Sequence, residues 1–357
     1  MKISMIYKKN LKKINKNQGF KKKTFISKKN EKGKTMTLNV GIVSAGAMGT
    51  AIAQIISPNC DHIYLYARRK EVCDNINDTG YNFHYYPNTE LHKNISAVNE
   101  LEDLKSVDVI FLCIPSSIMR EITSKLNKIV SKECIFVNTS KGLEKDTNKR
   151  MSEIIEEETK RPPVVLSGPN IASEMAKNNF SATTIAGTNK DDLETVEKLL
   201  STDRFKVNAN NDVIGTEWCG TIKNVLAISQ GLCEGMEINA NARLAVFTMS
   251  YNETKDLIEI LGGERDTVDD YCGFGDMVTA SILNVSRNHT LGILYGQRIV
   301  IDEKASGVLF EGKNTTEILK GICEELNFNS LTVNFVYDVL INGKTPLEAF
   351  DELWKHM

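Results

Sequence analysis

The chain has no run of about 18 apolar residues, the length a helix needs to cross a bilayer, so no transmembrane segment is expected. Its eight cysteines, Cys60, Cys73, Cys113, Cys134, Cys219, Cys233, Cys272 and Cys323, include no CxxC pair and lie mostly inside apolar runs. That excludes the usual zinc and disulfide frameworks and reads as small core residues in a reducing, cytoplasmic compartment. The five histidines show no ligand spacing, so no metal is expected. Residues 1–35 contain no arginine and no sustained apolar stretch, which argues against a secretory signal or an organellar transit peptide. No internal repeat is evident.

What is present is a soluble composition, 41% apolar and 25% charged over 357 residues, enough for two domains. A net charge of −2 hides an asymmetry: thirteen of the 44 basic residues and one of the 46 acidic ones lie in residues 1–35, leaving 31 basic against 45 acidic beyond them. The lysine-rich segment reads as a disordered extension with Met36 as the functional start; a polybasic arm for nucleic acid or acidic lipid is the alternative. For the acidic body no nucleic-acid partner is expected.

The body opens with strand LNVGIV (38–43), a turn running Ser44, Ala45, Gly46, Ala47, Met48, Gly49, and a helix ended by Pro58. This is the dinucleotide-binding pattern with Ser44 in place of the first glycine, which weakens the tight turn. A second strand, HIYLY (62–66), ends at Ala67, Arg68 and Arg69, where an NAD site usually carries an acid. Two guanidiniums suit a 2′-phosphate and slightly favour NADP(H) over NAD(H); a solvated strand end is the plain alternative. Further apolar runs at 107–114, 134–140, 164–168, 181–187 and 205–209 predict an α/β fold with a mostly parallel sheet. Ligands of such sheets sit beyond the carboxyl ends of the strands, where Lys141, Gly168 and Asn170 fall, and Lys141 is placed to meet an anion.

Beyond residue 210 the pattern turns to long helices. The predicted organisation is 1–35 extension, 36–210 Rossmann-like domain and 211–357 all-α domain. The stretch 213–235, VIGTEWCGTIKNVLAISQGLCEG, reads as a helix buried on most sides and capped by Asn211 or Asp212. Lys223, beside Asn224, is a lysine in apolar surroundings: either a general acid/base or a side chain that snorkels to the surface. In CGFGDMV, Asp276 follows two glycines and is suited to hold an ammonium. Ser286, Arg287 and Asn288 follow, with Arg287 a forked phosphate grip.

In these motifs the sequence resembles the soluble, prokaryotic-type NAD(P)-dependent sn-glycerol-3-phosphate dehydrogenases. The matching stretches are GIVSAGAMGTAIA, SKGLE, LSGPNIASEMA, GTEWCGTIKNVLAISQGLCEG, NARLAVFT, CGFGDMV, SRNHTLG, FEGKNT and VYDVLINGKTPLEAF, in that order from residue 38 to the carboxyl terminus. The resemblance implies dihydroxyacetone phosphate bound between a Rossmann-like and a helical domain, a homodimer, and a role in glycerophospholipid synthesis. It implies Lys223 as proton donor and acceptor with Asp276 and Asn224 around the reacting oxygen. Lys141, Ser286, Arg287 and Asn288 match substrate-phosphate or cofactor positions, Gly168 and Asn170 substrate positions, and Ala172, Leu309 and Glu311 cofactor contacts.

Three positions depart from the family pattern: Ser44, Asn170 where a serine is usual, and Ala280 where a threonine is usual, with Thr279 or Ser281 as a substitute hydroxyl. Two other readings stay open: a related two-domain reductase of another small acid or phosphorylated sugar, and a cofactor-binding sensor without catalysis.

Overall fold

The computed structural model describes residues 38–283, 286–299 and 311–357, so the lysine-rich extension and Leu309 lie outside the described residues, as does the side chain of Glu311. Strand β1 (Asn39–Val43) leads through the turn into α1 (Ala47–Ile56); β2 (His62–Tyr66) and α2 (Lys70–Thr79) follow. A small hairpin, β3 (Tyr81–Asn82) and β4 (Tyr86–Glu90), precedes β5 (Ile95–Val98). Then come β6 (Val109–Leu112), α3 (Met119–Leu126), β7 (Ile135–Asn138), α4 (Met151–Thr159), β8 (Val164–Ser167), α5 (Ala172–Ala176), β9 (Ser181–Ala186), α6 (Lys190–Leu200) and β10 (Phe205–Asn210).

Eight strands form one sheet in the order β10-β9-β8-β7-β6-β1-β2-β5. Every neighbouring pair is parallel except β8 with β9. The α/β reading with a mostly parallel sheet therefore holds. Strands β6, β7 and β8 are buried at every position, because helices cover both faces. Successive residues of β6 feed opposite cores: Val109 and Phe111 join one with α1 and α6, while Ile110 and Leu112 join another with α3 and α4. The hairpin and the edge strand β5 were not anticipated, since β4 alternates poorly, with only Tyr86 buried.

From residue 213 the described chain is helical. The long α7 (Val213–Gly235) and α8 (Ala240–Ile260) are followed by a π-helical turn (Tyr271–Gly275), α9 (Asp276–Ile282), α10 (Arg287–Gly296), α11 (Glu311–Glu325), α12 (Leu331–Leu340) and α13 (Pro346–His356). Helix α7 is the axis of a third core that includes Trp218, Ile222, Val225, Leu226 and Leu232. Its cap is Asp212, whose carboxylate accepts from Gly215 N at 2.8 Å, Glu264 N at 2.8 Å and Thr267 Oγ1 at 2.6 Å. No helix among the described residues is long and apolar enough to cross a membrane.

Candidate active site

The first half of the site is the turn between β1 and α1. Ser44 sits at φ 109°, a conformation that favours glycine, and its hydroxyl accepts from Gly46 N at 3.2 Å. The serine thus satisfies one of the amides at the start of α1. Gly49 admits no side chain, because a Cβ there would lie 1.9 Å from Ser44 O. The hairpin braces this turn from outside: Asn82 Nδ2 donates to Ala45 O at 3.0 Å and Tyr86 Oη to Ala47 O at 3.0 Å. Ala47, Met48 and Ala172 are partly buried against the core beneath.

Beside the turn opens a cavity of about 380 Å³ lined by Ser44, Gly46, Arg68, Arg69, Tyr85, Pro115 and Ile118, among others. A glycine turn at a helix N-terminus next to such a cavity fits a dinucleotide. The two arginines differ. Arg69 lies 3.4 Å from Glu71, whereas Arg68 makes no ion pair among the described residues.

The second half lies where α7 crosses the carboxyl ends of β7 and β8. Lys223 Nζ donates to Asp276 Oδ1 at 2.9 Å, and Lys141 Nζ is paired with Asp276 Oδ2 while donating to Gly168 O at 3.3 Å. The carboxylate is almost wholly enclosed, at 4% side-chain exposure, while Lys223 keeps 14% and Lys141 23%. Two ammonium groups on one carboxylate leave an excess of positive charge there, an arrangement that stabilises an anion. Burial pulls the Lys141 ammonium below its ordinary value; Asp276 opposes this and Lys223 adds to it. The stem of Lys141 passes over Gly220, where a Cβ would sit 3.3 Å from its Cγ and 3.0 Å from Ser167 Oγ.

The other predicted positions are less uniform. Asn224 is buried on α7. Asn170 turns its amide onto β9, donating to Ala182 O at 3.1 Å and accepting from Thr183 Oγ1 at 2.9 Å. Ser286 caps α10, accepting from His289 N at 3.5 Å; Arg287 is exposed and makes no ion pair among the described residues. Asn288 is buried with its carbonyl oxygen accepting from Gly312 N at 3.2 Å. Ala280 is buried. The Thr279 hydroxyl donates to Gly275 O at 2.8 Å, and that of Ser281 has no hydrogen-bond partner among the described residues. No group of three His, Cys, Asp or Glu that could hold a metal occurs among the described residues.

Two family models match the chain: the N-terminus of NAD-dependent glycerol-3-phosphate dehydrogenase over residues 39–193, and its C-terminus over residues 212–351. The chain belongs to the NAD-dependent glycerol-3-phosphate dehydrogenase family. A glycerol-3-phosphate dehydrogenase [NAD(P)+] from Neorickettsia sennetsu is 34% identical over 312 residues, covering 87% of this chain and 92% of the relative. One from Clostridium botulinum is 31% identical over 317 residues, covering 88% and 96%. The crystal structure of glycerol-3-phosphate dehydrogenase from Coxiella burnetii superimposes with a TM-score of 0.82 at 28% identity, covering 89% of this chain and 99% of that one. A ketopantoate reductase from Ralstonia eutropha, at 12% identity and a TM-score of 0.57, shares the fold alone.

For this dehydrogenase, sequence reasoning missed Tyr85 and Ile118 in the cavity wall and Gly220 under Lys141. Tyr85 follows the unanticipated hairpin strand β3, and Gly220 carries no signal within a helical run except that glycine there costs about 1 kcal/mol against alanine.

Proposed function

We propose that this chain reversibly reduces dihydroxyacetone phosphate to sn-glycerol 3-phosphate, a precursor for glycerophospholipids, with a nicotinamide cofactor held at Ser44–Gly49 and in the cavity of Arg68 and Arg69. The observation that carries this reading is the bridge of Lys141 and Lys223 on Asp276. When bound, the reduced cofactor supplies the hydride for C2. Lys223 gives a proton to the alkoxide that forms there, while Asp276 orients it and Asn224 lies one residue further along the helix. The Lys141 ammonium and the forked Arg287 at the amino end of α10 hold the phosphate, so binding away from the carbonyl positions it. Division near residue 210 into a cofactor half and a substrate half belongs to the same proposal.

Initial rates of NADPH and NADH oxidation test it, with dihydroxyacetone phosphate compared against ketopantoate. The phosphorylated triose is the expected substrate, with NADPH at least as efficient as NADH. Preference for ketopantoate would move the chain to the related-reductase reading; nucleotide binding without any turnover would move it to the sensor reading. Because Arg68 makes no ion pair among the described residues, Arg68→Ala is expected to lower kcat/KM with NADPH roughly 10- to 100-fold and with NADH little, the range for one charge-assisted hydrogen bond. Equal losses with both nucleotides would remove Arg68 from cofactor choice.

The lowered affinity of Lys141 for its proton gives a pH dependence. As pH rises the ammonium is lost, and with it the attraction for phosphate, so kcat/KM falls at a lower pH than an ordinary lysine would cause. Lys141→Arg keeps its charge and shifts that fall upward. Superimposable profiles would assign the fall to another group.

A homodimer is the assembly that the family resemblance supports; light scattering at about the 39.9 kDa of one chain would contradict it. A cytoplasmic location is supported by eight free thiols, and fractionation of cells with the protein in the periplasm or medium would contradict it.

A further inference from the structure

Glu217 is a second charged residue in the apolar face of α7, and it is 7% exposed. Its Oε1 accepts from Asn138 Nδ2 at 3.1 Å and from Ser152 N at 2.9 Å; its Oε2 accepts from Arg150 Nη1 at 3.0 Å and from the Ser152 hydroxyl. One carboxylate therefore ties α7 to the last residue of β7 and to the first turn of α4. Asn138 is fully buried, and its amide also closes on Ser140, accepting from Ser140 N at 2.9 Å and donating to Ser140 O at 3.2 Å. The next residue is Lys141.

Positions 217, 220 and 224 follow one another at helical spacing, so Glu217, Gly220 and Asn224 share a face of α7. Glu217 anchors the end of β7, Gly220 leaves room for the Lys141 stem, and one residue before Asn224 Lys223 meets Asp276. A buried carboxylate that only capped α4 would need the Ser152 contacts and nothing from Asn138.

We propose that Glu217 is a positioning residue for the reaction: through Asn138 it fixes the backbone at Ser140 and so sets Lys141 against Asp276 and Lys223. This rests on the role given to Lys141 above. Burial pushes the Glu217 carboxyl up from its ordinary value, against the opposing pull of Arg150 and Ser152.

The test is a double-mutant cycle on the full chain, reading kcat/KM for dihydroxyacetone phosphate and, separately, NADPH affinity by fluorescence. Glu217→Gln keeps the size of the side chain and alters its bonds to Asn138 and Arg150. It is expected to lower kcat/KM about 10-fold while leaving NADPH affinity within about 2-fold. In a Lys141→Ala background the same substitution is expected to change kcat/KM less than about 2-fold, since coupled residues are not additive. Asn138→Ala, which removes the link and leaves the contacts of Glu217 to Ser152 and Arg150, is expected to repeat both results and completes the cycle if Glu217→Gln does not fold. An undiminished loss in the Lys141→Ala background, or wild-type activity of Asn138→Ala, overturns the role of Glu217 alone. Lys141→Ala with unchanged kcat/KM overturns the reading of Lys141 and this proposal with it.

Discussion

Lys223→Ala is expected to lower kcat for dihydroxyacetone phosphate reduction by about 10²- to 10⁴-fold, the usual contribution of a positioned general acid, with nucleotide affinity little changed. The reason is geometric. Lys223 reaches the site from a helix most of whose other residues are buried in a core, so no other side chain of that helix can take the place of its ammonium. Alanine also leaves Asp276 paired with Lys141, which retains part of the positive field. The surviving rate therefore measures what charge alone contributes. Lys223→Arg separates the two roles: arginine restores a cation but holds its proton far too tightly to donate it. A rate for Lys223→Arg within about 10-fold of wild type would reduce Lys223 to an electrostatic role.

Asp276→Asn is the second large effect, about 10²- to 10³-fold in kcat, read together with the pH profile. The carboxylate holds two ammonium groups that would otherwise repel each other across a few ångströms. An amide keeps one acceptor oxygen and turns an NH₂ group toward the other lysine, where donor faces donor. Removing the negative charge takes away the group that holds the Lys141 ammonium against the effect of burial, so the alkaline fall in kcat/KM should move to lower pH. Stability should suffer less than the roughly 3–5 kcal/mol typical of breaking a fully buried pair, because both lysines keep some exposure and can turn toward water. A wild-type profile in Asp276→Asn would show that the bridge does not control the protonation of Lys141.

Several residues of the candidate site stand out in the sequence for specific physical reasons. Lys223 was conspicuous because an ammonium in an apolar helix costs free energy unless it is paired. Asp276 stood out as an acid behind two glycines, and Lys141 as a cation at the end of a strand buried on both faces. Glu217 breaks the same rule as Lys223 in the same helix, yet the sequence does not single it out, because its partners, Asn138, Arg150 and Ser152, lie 65 to 79 residues away. The serine at position 44 weakens the glycine pattern, whereas in the structure its hydroxyl accepts from Gly46 N, a local compensation that the pattern does not weigh. Asn170 and Thr279 are polar residues whose side chains are committed to nearby backbone, to β9 and to Gly275 respectively. Neither commitment could be read from residue type.

By itself the sequence determined seven of the eight strands of the main sheet from their β-rich apolar runs, and the helical half from the change of spacing after residue 210, but not the hairpin or the edge strand β5. These depend on contacts between residues close in the chain, where period and side-chain shape suffice. Only the tertiary structure decided that β9 and β10 run against the rest of the sheet, that the 81–90 hairpin braces the turn, and that Lys141 and Lys223 share one carboxylate. Those outcomes depend on pairs up to 135 residues apart in the chain, and such pairs are fixed by how buried charges and backbone groups find partners once the elements pack.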